Sequence, residues 1–119
     1  MTNSEALLIG YLNADPEIQN DGLEAFPEIP DERPQRFITV ERTGGQTSRL
    51  MDYPTWAVQV WAEDRNAASD LAVTVGQRLM HGFSRLPEVA DVDVTTTYNW
   101  PDESGQARYQ MVVTAVLMV

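Results

Sequence analysis

The chain has 119 residues, the length of a single domain, and it contains no cysteine. Disulfide bonds, thiolate metal sites and a cysteine nucleophile are therefore excluded. A net charge of −10 repels the phosphates of nucleic acids and anionic membranes, so neither is an expected partner. No apolar run approaches the ~20 residues that span a bilayer, and we expect a soluble protein made in the cytoplasm.

The N-terminal residues 4 to 14 are predicted to form a short helix. Thr2 or Ser4 is the candidate N-cap, and the helix is expected to end before Pro16, because a proline disfavours helical backbone in the residue that precedes it. The apolar residues at helical spacing are Leu7, Leu8, Tyr11 and Leu12.

Residues 15 to 36 form an irregular, acidic, proline-rich segment. Eight carboxylates and no basic side chain precede Arg33. A short strand near Leu23–Ala25 is compatible with the pattern. Phe26 and Ile29 are isolated apolar anchors, and two interpretations stay open: the segment binds a partner, or the two residues pin a surface crossing to the core.

Two strands are predicted to follow, Phe37–Arg42 and Trp56–Ala62. The Gly44-Gly45 pair starts a polar connection between them, which favours a hairpin with a long, mobile tip over residues 43 to 53. Trp56 and Trp61 lie on opposite strand faces, which predicts one buried indole and one at an interface.

Asp64 is a good N-cap for a second helix over residues 65 to 83. Apolar residues recur at helical spacing and form a stripe along this helix, which predicts that one of its faces packs on the core. The residues of that stripe are Ala68, Leu71, Ala72, Val75, Leu79 and Phe83.

The C-terminal part alternates like a strand from Asp91 to Trp100, with Val92, Val94, Thr96, Tyr98 and Trp100 predicted on one face. After a turn at Pro101–Gly105, Tyr109–Val119 is apolar on both faces. Such a strand is central in a sheet or buried against another subunit. The face away from Met111 carries Val112, Val116 and Met118.

Side chains that could carry chemistry are sparse. A single histidine, His81, cannot build an ordinary zinc site. Asp91 and Asp93 could form an acid/base pair, but the solvated face of an amphipathic strand needs the same pattern. No catalytic motif is found, and the sequence predicts no enzyme, no cofactor and no metal site.

Two segments resemble the tail terminator, or tail completion, proteins of long-tailed phages. They read Arg33-Pro-Gln-Arg-Phe-Ile-Thr-Val-Glu-Arg-Thr-Gly-Gly45 and Asp52-Tyr-Pro-Thr-Trp-Ala-Val-Gln-Val-Trp-Ala62, and a helix opened by Ala67 and Ala68 follows. In arrangement the resemblance extends over roughly residues 5 to 119. It implies an α+β fold, a mostly antiparallel sheet of about four strands with two helices packed on it, in the order α-β-β-α-β-β.

The resemblance also implies a function. Such proteins are structural components of the virion at the head–tail junction. They form a ring, expected here to be a homohexamer, that caps the tail tube, stops its polymerisation and docks to the head connector. The implied partners are other copies of the chain, the tail tube protein and the head–tail connector protein. Genome DNA would pass through the ring lumen without specific binding, and assembly would take place in the host cytoplasm.

The resemblance and the residue pattern together predict which residues contact the partners. The hairpin tip is expected to reach the tube protein through Arg42, Gly44, Gly45, Gln46, Arg49 and Leu50. Ring interfaces are expected to use Phe26, Ile29, Trp61, Val112, Val116 and Met118. The alternatives are a head-to-tail adaptor or stopper protein of the connector and, in another class, a small soluble α/β binding module.

Overall fold

A five-stranded mixed sheet organises the molecule, with its strands in the order β1-β2-β3-β5-β4. The computed structural model describes residues 3–118. The strands are β1 (Ala25–Phe26), β2 (Phe37–Thr47), β3 (Met51–Ala62), β4 (Val89–Asn99) and β5 (Ala107–Met118). The α-helices are α1 (Ser4–Ala14), α2 (Pro16–Asn20) and α3 (Arg65–His81).

The α+β class is confirmed, but the predicted four antiparallel strands and two helices miss two elements of the acidic segment. Asp15 caps α2 by accepting hydrogen bonds from the backbone N–H groups of Glu17 and Ile18. β1 then pairs in parallel with β2, Ala25 opposite Ile38. Both elements are too short for a periodic pattern, which is why α2 was not predicted and β1 was represented only by the short strand compatible with the pattern near Leu23–Ala25.

The observed N-cap of helix α1 is Asn3, one residue away from each of the two predicted caps. The side chain of Asn3 accepts hydrogen bonds from the backbone N–H groups of Glu5 and Ala6, while Ser4 lies inside the first turn. Thr2, the other candidate, lies outside the described residues, as does Val119 at the end of the predicted last strand.

The hairpin of β2 and β3 is paired almost to its end, so the predicted long tip over residues 43 to 53 is wrong. The strands stay paired from Gly44 opposite Thr55 to Thr47 opposite Asp52, and the connecting loop is only residues 48 to 50. A bulge at Thr43 absorbs the change in register after Arg42. The glycines mark a bent strand, which local composition does not distinguish from a loop.

Helix α3 packs on one face of the sheet, as predicted, with Asp64 as its N-cap. The helix ends at His81, and a short 3₁₀ turn, Phe83–Arg85, follows. All six residues of the predicted apolar stripe, including Phe83, are buried.

The predicted face of β4 is correct only for its first part. Val92 and Val94 pair with Ala115 and Val113 and face the helices. A bulge between Val94 and Thr96 then reverses the alternation, so Thr96 and Tyr98 point to the opposite face. A one-residue bulge flips every later side chain, and no local signal announces it.

Both tryptophans of β3 are fully buried, so the prediction that one of them is exposed at an interface is wrong. Trp56 faces the helices, with its ring edge-on to Phe83 at 5.9 Å. Trp61 faces the other way and stacks on Phe37 at 5.0 Å. Because Trp61 is buried on the sheet face opposite the helices, other residues of the chain must cover part of that face.

Candidate interaction site

The sheet face opposite the helices, called the outer face below, carries a continuous row of side-chain hydrogen bonds across four strands. The Trp61 indole donates to Thr39 Oγ1 at 3.1 Å, and Thr39 donates to Gln59 Oε1 at 3.0 Å. The Gln59 amide donates to Gln110 at 2.7 Å, and Gln110 donates to the Tyr98 hydroxyl. This row satisfies the polar groups of a half-buried surface and fixes the strand register.

Residues 27 to 36, called the strap below, cross one end of the outer face. The Arg33 guanidinium lies 5.4 Å from the centre of the Trp61 ring and pairs with Asp102 at 3.1 Å. At the end of the strap, Arg36 pairs with Glu63 through two hydrogen bonds of 2.7 and 2.8 Å. The acidic segment is thus tied down by its two arginines.

These ion pairs make the strap sensitive to acid. Hydrogen bonds from Ser104 and Arg33 outweigh burial and lower the pKa of Asp102 to about 2, from an ordinary value of 3.8. The contact is therefore fully present above pH 3.8 and is lost as the pH falls toward 2. We expect Asp102→Asn to show at neutral pH the strap mobility that the wild-type protein shows only in strong acid.

Amide hydrogen exchange over residues 27 to 36 measures this mobility. The variant is expected to exchange faster there and unchanged in α3, because α3 lies on the other side of the sheet. The exposed Asp91→Asn on β4 removes the same charge without touching the strap and serves as the matched control. Equal amide protection of the strap in all three proteins would show that the ion pair of Arg33 and Asp102 does not hold the strap in place.

Beside the strap lies a groove with a volume of about 380 Å³, called the strap groove below. The strap wall and the strand floor together supply two carboxylates, two polar side chains and an apolar lining. The lining residues are Pro27, Glu28, Ile29, Thr39, Glu41, Ala57 and Gln59. Ile29 lies here as a rim residue, 39% exposed, while Phe26 is half-buried with its ring edge-on to Phe37 at 6.2 Å.

The part of the outer face nearest the hairpin loop carries an apolar patch that no described residue covers fully. Its exposed members are Tyr53 and Met118, which are 42% and 49% exposed. Val112 and Val116 of β5 are half-buried beside them. Three residues of the predicted ring interface, Val112, Val116 and Met118, therefore lie together on one surface.

The hairpin loop itself projects an arginine and a leucine. Leu50 is 64% exposed and Arg49 is exposed next to it. The loop is held by a hydrogen bond of 2.8 Å from the Ser48 N–H to the Met51 carbonyl. This short, anchored turn, called the hairpin tip below (residues 48 to 50), presents both side chains from a defined position.

Arg42 forms hydrogen bonds within the hairpin, so it is not the free cation that was predicted at the tip. Its guanidinium pairs with both carboxylate oxygens of the buried Asp52, at 2.8 and 2.9 Å. It also donates to the carbonyls of Gly44 and Gly45. The hydrogen bonds of Arg42 outweigh burial and lower the pKa of Asp52. Gln46, opposite Tyr53 on the outer face, remains exposed.

A second cleft, of about 270 Å³, lies on the helix side between α1 and the end of α3. There Asp15 accepts hydrogen bonds from Tyr11 and from Arg78, the latter at 3.0 Å. Burial, followed by the bond to Asp15, raises the pKa of the Tyr11 hydroxyl to about 12. His81 and Arg85 line the rim. Each buried polar group of this cluster has a partner, and the cluster ties α1 to α3.

The strap groove and the hydrogen-bonded row were not predicted from the sequence. Gln59 and Gln110 interrupt otherwise apolar strands, and this was the available signal. The residues Glu28 and Glu41 are separated in the chain and line the same groove only because β1 pairs in parallel with β2. Within residues 3–118, no group of three metal-binding side chains occurs and no helix is long and apolar enough to cross a membrane.

No protein-family model matches this chain, and no curated protein matches it either. The geometry of the outer face and the sequence resemblance are therefore what bear on function.

Proposed function

We propose that the protein is a structural virion protein of a long-tailed phage. It forms a ring on the end of the tail tube, ends tube polymerisation and presents the surface to which the head connector docks. The observation that carries the proposal is the outer face, where an apolar patch and a groove lie beside each other while an anchored hairpin tip projects elsewhere. Unlike surfaces on one subunit suit head-to-tail contacts, which close into a ring when the rotation between neighbours divides a full turn.

The charge supports the same assignment. A surface with a net charge of −10 does not retain DNA, so a genome could pass through a ring of such subunits without sticking to it. The partners under this proposal are other copies of the chain, the tail tube protein and the head–tail connector protein. The protein would act in the virion, at the head–tail junction, after assembly in the host cytoplasm.

A phage that encodes this chain provides the deciding experiment. When the gene is deleted, we expect tails that are longer than normal or that lack heads, since nothing stops the tube or joins it to the connector. Electron microscopy of the lysate measures tail length and head attachment. Expression of the wild-type chain from a plasmid is the control, and it should restore tails of normal length.

The main rival is an adaptor or stopper protein of the connector. Its loss would leave tails of normal length beside empty heads, and that result would transfer the assignment to the connector. Light scattering on the purified chain adds an independent check. A stable monomer that forms no rings even beside tail tubes would favour the other class, a small binding module.

A further inference from the structure

Several exposed charged side chains, on the outer face and at the hairpin tip, have no ionic partner within residues 3–118. The ion pairs in this part of the chain use Arg33, Arg36, Arg42, Arg78 and Arg108 as cations. The cation at the hairpin tip, Arg49, takes part in none of them, and neither do the two carboxylates of the strap groove, Glu28 and Glu41. Opposite charges are thus left unpaired on two separate surfaces of one chain.

The chemistry of the strap groove suits an arginine with an apolar neighbour. Its walls offer Ile29 and Ala57 to an aliphatic stem, and its two carboxylates can pair with a guanidinium. Its volume of about 380 Å³ is large enough for side chains rather than for water alone. The hairpin tip supplies this combination, Arg49 followed by the exposed Leu50.

The tip and the groove of one chain cannot meet. Glu41, which lines the groove, is separated from Thr47, at the end of β2, by six residues of strand, or about 20 Å. An arginine side chain is much shorter than that distance. A hairpin tip can therefore fill only the groove of another copy.

We propose that the hairpin tip of one copy binds in the strap groove of the next, with Arg49 between Glu28 and Glu41 and Leu50 against Ile29. Each copy contributes its tip to one neighbour and its groove to the other, which defines a heterologous contact. The proposal rests on the assembly function proposed above and specifies the surfaces through which the copies join.

Charge reversal tests the contact in solution. Arg49→Glu alone, and Glu28→Arg with Glu41→Arg in one chain, are each expected to weaken self-association at least about tenfold, because like charges then meet in the contact. An equimolar mixture of the two variants is expected to associate again, since each tip then faces a groove of opposite charge. Sedimentation velocity measures the distribution of species.

Arg85→Glu is the matched control, because it makes the same change of charge on the helix side of the sheet. It should associate like the wild-type chain, and circular dichroism should show all variants folded. Wild-type association by Arg49→Glu, no recovery in the mixture, or a wild-type chain that stays monomeric at high concentration would each overturn the contact. The deletion phage judges the proposed function separately: overlong tails combined with a failed charge reversal would mean that the ring uses other surfaces.

Discussion

Trp61→Ala is expected to lower the free energy of unfolding by about 3–5 kcal/mol, the range for removing a fully buried aromatic side chain. Trp61 is 0% exposed, and its loss leaves a cavity against Phe37. The substitution also removes the ring against which the guanidinium groups of Arg33 and Arg108 lie, at 5.4 and 4.8 Å. Urea denaturation followed by circular dichroism measures the change.

Trp100→Ala is the matched control, because Trp100 is 46% exposed and its ring also lies against the Arg108 guanidinium, at 4.3 Å. We expect it to cost about 1 kcal/mol or less, the size of an exposed cation–π contact. In Trp61→Ala the strap should also exchange its amide hydrogens faster, since Arg33 loses the ring on which its guanidinium lies. Similar losses of stability for the two variants would show that the outer face is less tightly packed than the structure indicates.

Gly45→Ala is expected to cost about 3 kcal/mol or more, since left-handed backbone strain alone costs about 1–3 kcal/mol. Gly45 has a φ of 104°, which side chains rarely adopt. An added Cβ would overlap the Tyr53 carbonyl oxygen and lie 2.9 Å from Pro54 Cα. The backbone must move, and the end of the hairpin, with the ion pair of Arg42 and Asp52, is expected to open.

Gly44→Ala is the control for this prediction, because a Cβ on Gly44 would meet nothing within 4 Å. We expect a change of less than about 1 kcal/mol there. Hydrogen exchange of the strand amides near Thr47 and Asp52 separates local opening from global unfolding. Equal losses of stability in the two variants would show that the left-handed backbone of Gly45 and the nearby Tyr53 carbonyl do not constrain this position.

Predictions from the sequence were correct where the structure depends on residues that are close together in the chain. The stripe of α3, its Asp64 cap and the strand that begins at Phe37 were predicted correctly, because periodicity and capping act within a few residues of the chain. The faces of Thr96 and Tyr98 were predicted wrongly, because a bulge depends on the partner strand. The hairpin loop was predicted too long for the same reason.

By itself, the sequence determined the long helix, the main strands and the acidic character of the molecule. These properties follow from local periodicity and from composition. Only the tertiary structure decided that Arg42 binds Asp52, that Trp61 lies under Arg33 and Arg108, and that Glu28 and Glu41 share a groove. Each of these depends on strand pairing or on the path of the strap, so the residues meet only when distant segments fold together.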